Sequence, residues 1–264
     1  SISTSNNANV SNNIQLNGSG NIDFSSTGTT TSTYSGVISG SGNLRKIASG
    51  TVNLNASNTY TGDTDIQNGT LRVNGSLSDN SEVNVGSSGI YRVQNSHRIA
   101  SLTGDGSVII SSSRTLSTGS SGNNTFSGII SGSGGLTKLG SGTFTLNNAN
   151  TYSGTTTVSE GTLTVQGTLS NNSNISVASG ANYILNNDDT VGSLSGAGTI
   201  SVPSGITLTS NASSSSIFSG NLSGDGSFIK NGSGILTLSG ANTITGSTTI
   251  KQGWISISAD NNLG

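Results

Sequence analysis

The sequence predicts an all-β protein wound as a parallel coil, a solenoid of about twelve turns with roughly 20 residues in each. Three observations carry this. One stretch recurs at a fixed interval: Tyr34, Phe126 and Phe218 open three copies 92 residues apart, and the same 92 separates Gly40, Gly132 and Gly224, then Lys46, Lys138 and Lys230, then Asn58, Asn150 and Asn242, then Gly69, Gly161 and Gly253. No insertion interrupts it, as expected of stacked units that present one face to their neighbours, because an extra residue in a strand reverses its side chains. The second observation is composition: apolar residues make up 29% of the chain and charged residues 8%, with a net charge of −2. So few apolar side chains suit a narrow core better than a sphere, and low net charge with strict alternation argues against disorder. The third is punctuation, since Gly and Asn fall every roughly six to ten residues, which suits the corners of a coil.

The elements follow in order. Residues 1–33 read as the end of a preceding repeat, because Leu16-Asn17-Gly18-Ser19-Gly20-Asn21-Ile22 matches Leu102-Thr103-Gly104-Asp105-Gly106-Ser107-Val108. Residues 34–125 and 126–217 are two full repeats, and 218–264 is a truncated third, so the whole reads as a single segment, 1–264, of a longer array. In the second copy, short strands are predicted at Thr143–Leu146, Thr156–Val158, Thr162–Val165, Ile175–Val177, Ile184–Leu185, Gly192–Leu194, Thr199–Val202 and Thr207–Leu208. Inward positions are apolar in every copy: Val52/Leu54, Phe144/Leu146 and Leu236/Leu238, then Leu71/Val73, Leu163/Val165 and Ile255/Ile257. Thr, Asn, Arg and Ser stand between them, as on a solvated face. No apolar spacing of three and four persists, so no helix is expected. An antiparallel sandwich is disfavoured because two-residue Asn-Gly hairpins with long flanking strands are few. At about four turns per copy, and ~4.8 Å between paired strands, the coil would be about 60 Å long. The recurring lysines are expected at the surface, covering a corner or discouraging edge pairing. Ala48 at the position of Gly140 suggests a site that needs small size more than a positive φ.

Several chemistries are excluded. There is no Cys and no Met, so disulfides and thiolate metal sites drop out. No run approaches the roughly 18 apolar residues of a membrane span, and no charged-then-apolar leader stands at Ser1. Nine basic residues spread over so long a coil give no nucleic-acid footprint.

Gly132-x-Gly134-x-Leu136-x-Lys138-x-Gly140-x-Gly142-x-x-x-Leu146, then Asn150-Thr151-Tyr152-Ser153-Gly154-x-Thr156-x-Val158 and Gly161-Thr162-Leu163-x-Val165, resembles the autotransporter-associated β-strand repeat, or passenger-associated transport repeat, of Gram-negative passenger domains. The likeness covers about 40 residues of each copy; Ala48, Ile244 and Trp254 depart from it. It implies a right-handed parallel β-helix, exported by type V secretion through a C-terminal membrane barrel absent here and held at the cell surface or released. Members are adhesins, aggregation factors and toxins, so the likeness implies scaffold and export route ahead of any ligand. The expected role is a non-enzymatic extracellular scaffold in adhesion or self-association. The partners would be a second copy of the chain, rod to rod, or host-cell or matrix glycans and proteins; neither nucleic acid nor a cofactor is expected. A pure stalk and export-folding module is the first alternative, and a glycan-cleaving β-helix enzyme the second.

A site residue should break the repeat, since scaffold residues recur. Asp63 and Asp65 do, standing where the other copies have Thr155/Thr157 and Ser247/Thr249. Two apart on a strand, their carboxylates would lie roughly 7 Å apart, near the separation used by inverting glycosidases. No aromatic platform or basic partner is near in sequence, so solvated surface carboxylates are the simpler reading. Trp254 replaces an outward Thr and is a candidate sugar-stacking ring, although packing against another part of the longer array is the simpler reading. Asp188-Asp189 read as a turn that could face calcium, but the repeated Gly-Gly-x-Gly-x-Asp of calcium-binding solenoids is missing. Gly104-Asp105-Gly106 and Gly224-Asp225-Gly226 read as ordinary turns. His97, the only histidine, rules out a multi-histidine metal centre, and no nucleophile-elbow motif accompanies it. No catalytic, cofactor-binding or metal-ligating residue is assigned; Trp254, Asp63 and Asp65 remain as candidate surface-binding residues.

Overall fold

The structure is a computed structural model that describes residues 2–3, 8–18, 20–259 and 262–263. Ser19, within the segment matched to Leu102–Val108, and the ends at Ser1 and Gly264 lie outside those residues. The fold is a parallel β-solenoid of about 12 turns. No α-helix occurs among the described residues, and no helix is long and apolar enough to cross a membrane. The chain divides into two compact units, Ser1–Gly119 with Asn124–Gly134, and Ser120–Asn123 with Gly135–Gly264.

Among the described residues strands pair in parallel, with partners between 17 residues apart (Asn182 with Thr199) and 24 apart (Ile14 with Ile38). That interval is one turn of three sides joined by corners, and in some turns the third side carries no strand, as between Leu54 and Thr64 or between Leu146 and Thr156. In the first unit one side carries Asn21–Ser25, Asn43–Lys46, the beginnings of the long strands Thr64–Val73 and Glu82–Val93, then Ser101–Gly104 and Asn124–Phe126. The next side carries Thr31–Tyr34, Thr51–Leu54, the ends of the same two long strands, Ser107–Ile110 and Ile129–Gly132. Short strands are expected throughout from the sequence. Thr64–Val73 and Glu82–Val93 instead run through a corner without losing their pairing, with one register shift between Val85 and Ser88.

The second unit repeats the plan. Gly135–Lys138 is followed on its side by Thr156–Val158, Ile175–Val177, Leu194–Gly196, Ser216–Phe218, Ile235–Leu238 and Trp254–Ile257. A separate sheet stacks Asp189–Val191, Thr207–Ser210, Ser227–Lys230 and Thr248–Ile250. The strand expected at Gly192–Leu194 is resolved into two, Asp189–Val191 and Leu194–Gly196, on either side of a corner.

Inward alternation holds along these strands: Val52, Leu54, Phe144, Leu146, Leu236, Leu238, Leu71, Val73, Leu163 and Val165 are all buried. In the last turn Ile255 is half-buried and Ile257 exposed.

The repeat does not occupy a whole number of turns. Starting from Gly135–Lys138, the chain returns to that side at Thr156, Ile175, Leu194 and Ser216, which is four turns. It then crosses Asn221–Gly224 before reaching Ser227–Lys230, the strand 92 residues on. One copy is thus four turns and two further sides of three, about four and two-thirds turns, and not about four. The first unit shows the same step. Ile38 pairs with Ile14, whereas its counterpart Ile130 pairs with Val108, in the stack that runs back through Val52. Successive copies therefore present equivalent strands on different sides. Strand alternation tolerates this because every side needs the same pattern, apolar in and polar out.

Lys46, Lys138 and Lys230, expected at the surface, are buried. Each ammonium lies inside a corner and donates to backbone carbonyls: Lys46 to Ala48 and, at 3.0 Å, Asn68; Lys138 to Leu139 at 2.7 Å, Gly140 at 2.6 Å and Glu160 at 3.2 Å; Lys230 to Gly232 and, at 3.4 Å, Gln252. Corner carbonyls have no strand partner, so a long flexible side chain with several N–H donors satisfies them from within. Desolvation lowers all three ammonium pKa values, that of Lys46 to about 8. The glycines that follow the acceptors, Gly69, Gly161 and Gly253, have φ of 71°, 67° and 74°. A Cβ at Gly161 would lie 2.5 Å from the carbonyl oxygens of both Gly140 and Gly142, so both conformation and space require glycine there. Gly140 itself has φ of 70°, whereas Ala48 and Gly232 are not in the left-handed region. The second copy does use the freedom that Ala48 argues against.

Candidate functional site

The outward faces carry polar ladders one rung per turn. Asn43 donates to Asn21 at 3.0 Å, Asn74 to Asn55 at 2.7 Å, and Asn231 to Asn211 at 3.2 Å. Asn and Thr can both donate and accept, so identical neighbours on successive rungs satisfy one another.

Asp63 and Asp65 lie outward on one side of the first unit, flanking the buried Thr64. They do not act as a matched pair. Asp65 belongs to a ladder: Asp23 is ion-paired to Arg45 at 2.6 Å, Arg45 is the strand partner of Asp65, and Asp65 accepts from Asn84 at 2.9 Å and from Gln67 at 2.6 Å. Arg45 holds the Asp23 carboxyl below its ordinary value. The Asp63 backbone N–H donates to Asn43 Oδ1 at 2.9 Å, and its side chain is exposed. One carboxylate bound into a ladder beside one free in solvent makes a structural edge, not an acid and a base held over a cleft.

Trp254 lies outward in the second unit and is 67% exposed. Its strand partner one turn earlier is Ile235, 40% exposed, and Ile217 on the same side is 62% exposed. The ring thus stands on a small apolar strip within a Thr- and Ser-rich face.

Other singled-out residues turn inward. His97 donates or accepts at both ring nitrogens, Nε2 to the Tyr91 hydroxyl at 2.5 Å and Nδ1 to the Asn95 carbonyl at 2.9 Å; burial lowers its pKa. Asp189, expected in a turn open to cations, begins a strand and faces the core. Its two oxygens accept the Leu169 N–H at 3.2 and 3.1 Å, and burial raises its pKa to about 7 against that hydrogen bond. Asp188 accepts the Thr207 N–H at 2.7 Å. No group of three or more His, Cys, Asp or Glu is placed to hold a metal among the described residues. Sequence reasoning misses the hydroxyl chains Tyr60–Thr64–Ser81 and Tyr152–Thr156–Ser173, in which each tyrosine hydroxyl reaches a threonine and that threonine a serine. Their recurrence at 92 residues is visible in the sequence, but not that the serine 17 residues on meets each threonine.

The family model described as passenger-associated-transport-repeat matches residues 44–73, 136–165 and 228–257. The chain carries three passenger-associated transport repeats. Each match begins within a lysine-bearing strand or just inside it and ends at the inward pair Leu71/Val73 or its counterparts, so it spans the lysine corner and its glycine. The chain is also 34% identical over 137 residues to the adhesin BmaC autotransporter of Brucella suis biovar 1 (strain 1330), a match that covers 48% of this chain and 4% of that protein. The match thus spans a small fraction of the relative's length. No solved structure matches. Repeat and relative together support a segment of an autotransporter passenger domain.

Proposed function

We propose that the passenger segment is a non-enzymatic scaffold that works outside the cell, at the bacterial surface or released from it, in adhesion or self-association. The observation that carries this reading is the set of polar ladders, whose outward Asn, Thr and Ser recur turn after turn over an apolar core. Such a face offers many weak hydrogen-bonding contacts, which multivalency sums into a strong one. Its partners would be another copy of the chain or glycans and proteins of a host cell or matrix. The relative's name, an adhesin, agrees with this reading.

A second reading has its own support. Because successive copies turn equivalent strands to different sides, a recurring outward residue makes no continuous stripe at the repeat interval. A stalk and export-folding module needs only the coil, and the buried lysine corners serve that need. Deleting residues 126–217, one whole copy, separates the readings: cell–cell aggregation or adhesion that falls with the deletion supports the display role, and unchanged adhesion supports the stalk. A glycan-cleaving role would require Asp63 or Asp65 as catalyst; the bound state of Asp65 argues against it, and Asp63→Asn should leave any polysaccharide turnover unaltered.

A further inference from the structure

Arg72 and Arg92 are direct strand partners on adjacent turns of the first unit. They point outward, between the buried Leu71 and Val73 and between the buried Tyr91 and Val93. Paired strands set them about 4.8 Å apart along the stack. Like charges directly opposite repel, and the neighbouring rungs do not relieve this: Asn53 precedes Arg72 and Ile109 follows Arg92. The buried Nε of each guanidinium has no hydrogen-bond partner, nor has Asn53 Oδ1 beside them. The adjoining side solves the same problem differently, alternating Asp23, Arg45 and Asp65. Both arginines also break the repeat, since Thr164 and Ser256 stand for Arg72, and Ile184 stands for Arg92. A scaffold demands neither.

We propose that Arg72 and Arg92 form a two-rung binding site for an anionic sugar residue of an acidic polysaccharide. Guanidinium edges bind carboxylate or sulfate oxygens in pairs, and two stacked edges accept one sugar carrying such a group, or two neighbouring groups on one chain. The bound anion accepts from the outer amino groups of the two guanidiniums and removes the repulsion between rungs, while the Nε atoms stay buried beneath it. Beside the pair the outward row on the same side runs Thr51, Thr70, Ile90 and Ser107, an open sheet face that admits an extended chain and needs no cleft. The site is distinct from Trp254 and from Asp63 and Asp65, and it stands whether or not the segment self-associates.

The test is titration calorimetry of the chain with a heparin oligosaccharide, which bears sulfate and carboxylate, an oligogalacturonate, which bears carboxylate alone, and a neutral dextran. Binding to one or both acidic sugars at about 0.15 M salt, weakened at higher salt, and at least tenfold weaker for the Arg72→Gln/Arg92→Gln double variant, is the expected result. Heparin alone would assign sulfate, and both would assign the shared anion. No binding to either acidic sugar, equal binding to dextran, or undiminished binding by the double variant overturns the site. Each single Gln variant should melt at or above the parent temperature, because a like-charged neighbour has gone; a clear drop would show the guanidiniums to be structural and overturn it as well.

Discussion

Asp189 offers the sharpest test of how the corners work. Its carboxyl sits where Asn58 and Asn242 sit at other corners: Asn58 Oδ1 accepts the Ile38 N–H at 3.0 Å, Asn242 Oδ1 accepts the Leu222 N–H at 2.7 Å, and the Asp189 oxygens accept the Leu169 N–H. The substitution Asp189→Asn should keep that hydrogen bond and remove a buried titration. The pKa of Asp189 is raised from 3.8 to about 7 by burial. A raised folded-state pKa means that its stabilising contribution is complete below pH 3.8 and is lost as pH rises through 7. A tenfold change in proton affinity between the folded and unfolded chain corresponds to about 1.4 kcal/mol, so the parent loses up to roughly 4 kcal/mol across that window relative to the variant. Urea unfolding of both proteins at intervals from pH 4 to pH 8 reads the difference, and other titrating groups, His97 included, cancel in it. The variant should be the more stable protein at pH 8, with the advantage shrinking steadily toward pH 4. A constant difference over the whole range would refute the buried titration, and a variant less stable at pH 8 would refute the Asn-like role of the site.

Four further outcomes are expected. Gly161→Ala should cost roughly 3 kcal/mol or more, from a left-handed φ and a blocked Cβ, whereas Gly180→Ala, with φ of 80° and nothing within 4 Å of its Cβ, should cost about 1 kcal/mol; urea unfolding compares them. An amine-reactive reagent applied to the native protein should modify Lys251, which is exposed, and spare Lys46, Lys138 and Lys230, as peptide mass spectrometry will show. Trp254, the single tryptophan, should emit as a solvated indole and be quenched readily by acrylamide, and a sugar that stacks on it should shift that emission to the blue. His97, whose pKa is lowered by burial from its ordinary 6.5, contributes stability above that value that fades as pH falls; His97→Gln should flatten the acid limb of an unfolding series below it.

The strands and their inward residues are legible because a two-residue alternation is local: Thr143-Phe144-Thr145-Leu146 declares its buried face without reference to anything else. The parallel stacking follows from the repeat and its punctuation. What is not legible depends on where a corner closes. Charged side chains are seldom buried, which sends the lysines to the surface in any reading of the sequence, and only the corner geometry shows carbonyl groups gathered around each ammonium. The same holds for Asp189, whose polar neighbours Asn186 and Asn187 suggest a turn, whereas the chain turns just before it and sends the carboxyl inward. The turn count per copy fails for another reason: corners of uneven length make the repeat interval compatible with four turns or five, and pairing alone decides. Of the candidate surface residues, Trp254 is exposed as its outward position implies. The ladder that holds Asp65 needs Arg45 and Asn84, neither near it in sequence. Arg72 and Arg92 escape notice because nothing in the order of residues says that they adjoin.

The fractional turn count bears on how such an array can lengthen. Unequal exchange between gene copies adds or removes one whole block of codons at a time, and a three-sided coil accepts the product whenever the strand sequence stays in step, with no need to complete a revolution. Each inserted block then arrives two sides of three further round than the block before it. A mutation that gains a contact in one block is carried by duplication to a new bearing, so growth of the gene samples directions of approach around the axis while leaving the interior unchanged.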